Sequence, residues 1–77
     1  MRCLIISDPE ADISAAALDV NVGSALDPKP LYGTAHFLEH MLFMGSEKYP
    51  SENEYAKYIS DNGGCSNAWT SNTNTNY

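Results

Sequence analysis

Two strand-like runs followed by two helix-like runs predict a mixed unit of strands and helices, one small domain at most. Three observations carry this reading. Residues Ser14 to Gly23 alternate in polarity, Thr34 to Met44 is apolar around most of a helical circumference, and Ser51 with Glu54 opens a second amphipathic run. The chain has 77 residues. A core of that size usually needs a disulfide, a metal or a partner to be stable.

In chain order, Cys3 to Ser7 predicts a short buried strand, and Asp8-Pro9 signals a turn. From Ser14 to Gly23, Ala16, Leu18, Val20 and Val22 point one way while Ala17, Asp19 and Asn21 point the other, the period of a strand with one face on a core. The two runs together suggest a β-hairpin. Ser24 to Gly33 carries Pro28 and Pro30 and predicts a loop, because proline removes a ladder donor and restricts the residue before it. Thr34 to Met44 predicts a buried helix that Gly45 ends. Ser51 and Glu54 form a capping box for the next helix, with Tyr55, Tyr58 and Ile59 on its packing face and Gly63-Gly64 closing it. Cys65 to Tyr77 is rich in Asn, Ser and Thr. Composition favours a disordered polar end; the other reading is a strand around Ser66 to Thr70, a turn and the beginning of a further strand.

Composition narrows the partners. Four Lys and Arg stand against ten Asp and Glu, a net charge of −6. Phosphate binding draws on Lys and Arg, so no nucleic acid is expected. The apolar run at the start is only Cys3 to Ile6, too short for a membrane span or a signal-peptide core. One Arg against Asp8 and Glu10 does not make a mitochondrial transit peptide. Cys3 and Cys65 are expected as free thiols in a reducing compartment, which places the chain in the cytoplasm. An organelle address on a missing N-terminal extension stays open.

The chemistry sits in the first helix. Past Thr34 its only polar side chains are His36, Glu39 and His40. At 100° per residue they form one polar wedge roughly 100° wide on an otherwise apolar rod. A buried unpaired carboxylate costs several kcal/mol, so something must face that wedge. Zinc is the natural occupant. Imidazoles at i and i+4 converge on one metal, and catalytic zinc takes three protein ligands and keeps a position for water. Glu39 is then placed as the general base that takes a proton from that water and hands it to a leaving amine. The spacing is the H-x-x-E-H pattern of the inverzincins. The plainer alternative is a helix whose histidines are satisfied by backbone carbonyls or a salt bridge.

The surroundings of the pattern decide between them. Gly33-Thr34-Ala35-His36-Phe37-Leu38-Glu39-His40-Met41-Leu42-Phe43-Met44-Gly45 resembles the zinc-motif segment of the pitrilysin (M16) peptidase family. Lys48-Tyr49-Pro50 with Glu52-Asn53-Glu54-Tyr55 looks most like its insulin-degrading-enzyme branch; among the other branches, the segment speaks against the mitochondrial processing peptidases more than against the nardilysin type. Ile6 to Pro9 and Ala15 to Val20 resemble the first two strands of these enzymes, and Gly63-Gly64 with Ser66 to Thr70 the strand after the second helix. That favours strands over disorder in the tail.

The resemblance implies an α+β fold, an antiparallel sheet with helices packed on one face, of which residues 1–77 form a partial N-terminal catalytic domain. It implies a zinc-dependent metalloendopeptidase of short, flexible peptides. His36 and His40 would hold zinc, Glu39 would be the base, and the third ligand, a glutamate, is expected beyond residue 77. Glu47, Glu52, Glu54 and Asp61 offer no good substitute. Asn67 and Ala68 are implied to lie on an edge strand to which extended substrate adds. Trp69 either lines a pocket beside the scissile bond or packs in the core. The expected partners are peptide substrates and the remainder of the peptidase chain, and the chain alone is expected to be inactive. The alternative is a non-catalytic fragment that binds peptides or a partner through an exposed edge strand.

Overall fold

A computed structural model describes all 77 residues. Its elements are β1 (Asp19–Val20), a 3₁₀ turn (Ser24–Leu26), α1 (Thr34–Met41), α2 (Glu54–Asp61), β2 (Trp69–Thr70) and β3 (Thr75–Asn76). The strands form one antiparallel sheet in the order β1-β3-β2, with Asp19 opposite Asn76 and Trp69 opposite Asn76 on the other side. The α1 helix packs against β2 and β3. This is the α+β arrangement expected, in small compass.

The first strand pairs differently from the expected hairpin. Cys3 to Ser7 joins no ladder, and Leu4, Ile5 and Ile6 are exposed. The Asp8 turn does form, with the Glu10 N–H donating to Asp8 Oδ1 at 2.9 Å and the Ala11 N–H to Asp8 O at 3.2 Å. The partner of β1 comes instead from the end of the chain. Leu18 and Tyr77 exchange N–H···O bonds of 2.9 Å beside the β1–β3 ladder. The Asp19 carboxylate accepts from Asn74 Nδ2 at 2.8 Å and Asn76 Nδ2 at 3.2 Å. Alternation fixes which face of a strand is apolar but not which strand it meets, and here the polar clasp of Asp19 selects β3.

The tail is ordered by the same short polar side chains that suggest disorder on composition. Ser71 donates its N–H to Asn74 O at 2.8 Å, and its Oγ accepts from the Asn74 N–H at 3.0 Å and the Thr73 N–H at 3.3 Å. These local bonds close the β2–β3 hairpin, as Ser and Asn side chains do in turns.

Both helices are shorter than the sequence suggests. After Met41 the chain tightens into i→i+3 bonds, Phe43 to His40 and Met44 to Met41, before Gly45 turns away at φ 110°. The capping box of α2 does not form. Asn53 stands at its N-cap without a side-chain bond, and the Glu54 N–H donates to the Ser51 carbonyl at 3.2 Å instead of meeting its hydroxyl. The exit is as expected: the Gly64 N–H reaches Ile59 O at 2.9 Å and the Gly63 N–H reaches Ser60 O at 3.0 Å, a Schellman motif.

Burial inverts the expectation for α1. Only Gly23, Glu39 and Thr75 are buried, and no hydrophobic side chain is among them. Phe37, Leu38, Met41 and Leu42 are exposed. One three-stranded sheet covers a single face of a helix, so an apolar circumference keeps its other faces open. Tyr55 meets Phe43 edge-to-face at 5.4 Å, but Tyr58 is exposed, so the packing face of α2 is only partly used. Cys3 and Cys65 are exposed free thiols. No helix is long and apolar enough to cross a membrane.

Candidate metal centre

One helical turn separates His36 from His40, and their Nε2 atoms lie 3.0 Å apart with the rings inclined at 43°. Potential ligand atoms of His36, Glu39 and His40 all fall within 4.8 Å of one another. Glu47, Glu52, Glu54 and Asp61 do not join this cluster. The donor set fits zinc. Two bonds of about 2.05 Å at a tetrahedral angle span about 3.3 Å, a few tenths from the observed separation. Nitrogen lone pairs this close need either a shared proton or a cation between them.

The three side chains differ in surroundings. His36 and His40 are exposed, whereas Glu39 is 7% exposed and turned toward the sheet. Its Oε2 accepts a hydrogen bond from the Thr70 hydroxyl on β2. That contact answers the cost of burying a carboxylate and fixes one of its oxygens. Thr70 in turn sits opposite Thr75, whose hydroxyl donates to Val22 O at 2.8 Å. Glu39 is therefore held by the sheet rather than by its own helix. The helical motif carries no sign of Thr70, because the contact spans 31 positions of sequence. Strand alternation at Ala68 and Thr70 was the available signal, since both share the face toward α1.

The residues expected to bind substrate lie beside this contact. Asn67 and Ala68 immediately precede β2 and stand outside its ladder, Asn67 exposed and Ala68 half-buried. The β2 strand is one of the two outer strands of the sheet, so one of its edges is unpaired. Trp69 is half-exposed and, by alternation, faces away from the Thr70–Glu39 contact.

Comparison with known proteins gives the family. The sequence model of the family described as Insulinase (Peptidase family M16) matches residues 2–77. The A-factor-processing enzyme of Saccharomyces cerevisiae is 61% identical over the full 77 residues, and the insulin-degrading enzyme of Homo sapiens 54%. The chain spans 8% of the length of each. A crystal structure of pitrilysin matches 78% of the chain with a TM-score of 0.71 and 48% identity, over 6% of that protein. The chain belongs to peptidase family M16, among its insulin-degrading-enzyme-like members.

Proposed function

We propose that residues 1–77 supply the metal-binding helix and the general base of a zinc-dependent metalloendopeptidase acting on peptides. The observation behind this is the convergence of His36 and His40 beside a buried carboxylate that the sheet holds in place. His36 and His40 would hold the metal through Nε2, with a glutamate outside these residues completing the set. Bound zinc supplies a Lewis acid and brings the pKa of its water near 7. Glu39 is the proton carrier. Thr70 occupies Oε2, which leaves Oε1 to accept a proton from water and release it to the departing amine. The unpaired edge of β2 would receive an extended peptide, with Asn67 and Ala68 in its path.

The test uses a graft, because the isolated chain buries no apolar side chain. Residues 1–77 replace the matching segment of the yeast relative. Hydrolysis of a fluorogenic peptide is expected, with loss on chelation and recovery on adding zinc. A graft that cleaves equally well after chelation, or with His36→Ala, would sink the proposal. Within an active graft, Thr70→Val is expected to lower turnover by about 10- to 100-fold, because an unsatisfied buried acceptor costs about 1–3 kcal/mol. Thr70→Ser, which keeps the hydroxyl, is expected to recover most of it. Equal turnover in Thr70→Val and wild type would remove Thr70 from the site.

The second reading rests on the same open edge: a non-catalytic fragment that captures extended peptides along β2. Peptide binding by the 77-residue chain without zinc or cleavage would favour it.

A further inference from the structure

We propose that Asp27, which lies outside the motif, is a positioning residue for the metal ligand His36. The proposal rests on the metal-site reading above. His36 is the third residue of α1, inside the turn whose N–H groups have no partner within the helix. An N-cap side chain normally satisfies one of them. Gly33 occupies that position at φ 92° and has no side chain to offer. Asp27 takes over from the preceding loop. Its Oδ2 accepts the Gly33 N–H at 2.7 Å and its Oδ1 accepts the Ala35 N–H at 2.9 Å. A carboxylate there also complements the positive end of the helix dipole. The Phe37 N–H then bonds Gly33 O at 2.8 Å, closing the turn with His36 inside it. The 3.0 Å approach of His36 Nε2 to His40 Nε2 exists only while that turn is helical.

Asp27 is itself anchored to the sheet. Its N–H donates to Ser24 O at 3.2 Å, the Ser24 N–H donates to Ser71 O at 2.9 Å, and the Ala25 N–H donates to Asn72 O at 3.0 Å. Ser71 follows Thr70, which holds Glu39. The β2–β3 turn thus fixes the base through Thr70 and the first metal ligand through Ser24 and Asp27. Two functional groups on one helix are referenced to a single turn of the sheet.

Zinc affinity of the graft, read by competition with a chromogenic chelator, tests this without recourse to activity. Asp27→Ala is expected to weaken zinc about tenfold, the lower end for residues that orient a ligand. Asp27→Asn keeps one carbonyl oxygen of the same reach and should fall between. Asp19→Ala, which cuts the side-chain clasp from β1 to Asn74 and Asn76, is the structural control and should bind as wild type. Equal affinity of Asp27→Ala and wild type overturns the proposal while leaving the metal site intact. So does an equal loss in Asp19→Ala, which would reduce the effect to general loosening. A graft whose zinc affinity ignores His36→Ala overturns both proposals, since Asp27 would then have no ligand to position.

Discussion

Replacing Glu39 by Gln in the graft is expected to cut peptide hydrolysis by about 10²- to 10⁴-fold, the usual contribution of a positioned acid–base group. Zinc affinity should not change. The structure separates these two effects. Glu39 is buried and its Oε2 already accepts the Thr70 hydroxyl, a bond that the carbonyl oxygen of Gln can also accept, as a weaker neutral acceptor. The substitution is nearly isosteric, so neither packing nor the sheet contact is disturbed. What disappears is an oxygen that takes up and releases a proton. Turnover and zinc affinity, measured on the same preparation, discriminate among the possible roles. Undiminished hydrolysis would remove Glu39 from the proton path, and a parallel loss of zinc would make it a ligand instead.

The parts of this site that were legible in the sequence are those built by local geometry. His36, Glu39 and His40 lie within one helical turn, so period and spacing alone bring them together. The Gly63-Gly64 exit of α2 is likewise local and legible from the two glycines. What periodicity could not supply was the partner across space. Asp19 pairs with Asn76, and Thr70 reaches Glu39, over separations for which an alternating pattern names a face and nothing more. The cap of α1 was hidden for a related reason. Capping rules inspect the residue before the helix, and that residue is a glycine, with the carboxylate arriving from Asp27. The polar tail misled on composition because Ser71, Thr73 and Asn74 spend their side chains on one another and on the backbone of a turn. The M16 resemblance pointed to strands there, and two short strands are present.

Gly23→Ala is expected to undo the junction on which the proposed roles of Glu39 and His36 both depend. Gly23 adopts ordinary extended backbone at φ −143°, so the penalty is not conformational. It is steric. A Cβ there would stand 2.2 Å from Ser71 O, 2.7 Å from the Asn72 carbonyl carbon and 2.8 Å from Asn74 N, all backbone atoms of the β2–β3 turn. Backbone has no rotamer by which to step aside, so the turn must move away from the 3₁₀ turn as a body. The bonds from the Ser24 and Ala25 N–H groups to Ser71 and Asn72 are then lost. The cost is placed at about 3 kcal/mol, the upper end of overpacking penalties. Hydrogen exchange of the Ser24 and Ala25 amides in the graft reads it directly, with exchange over about a hundredfold faster expected. Gly33→Ala is the comparison. Its Cβ meets nothing within 4 Å, and only the left-handed backbone at φ 92° resists it, worth about 1–2 kcal/mol. That variant should leave the Ser24 and Ala25 amides protected. Equal protection in Gly23→Ala and wild type would mean that the turn yields at little cost, and that the close approach of Gly23 does not hold the sheet to α1.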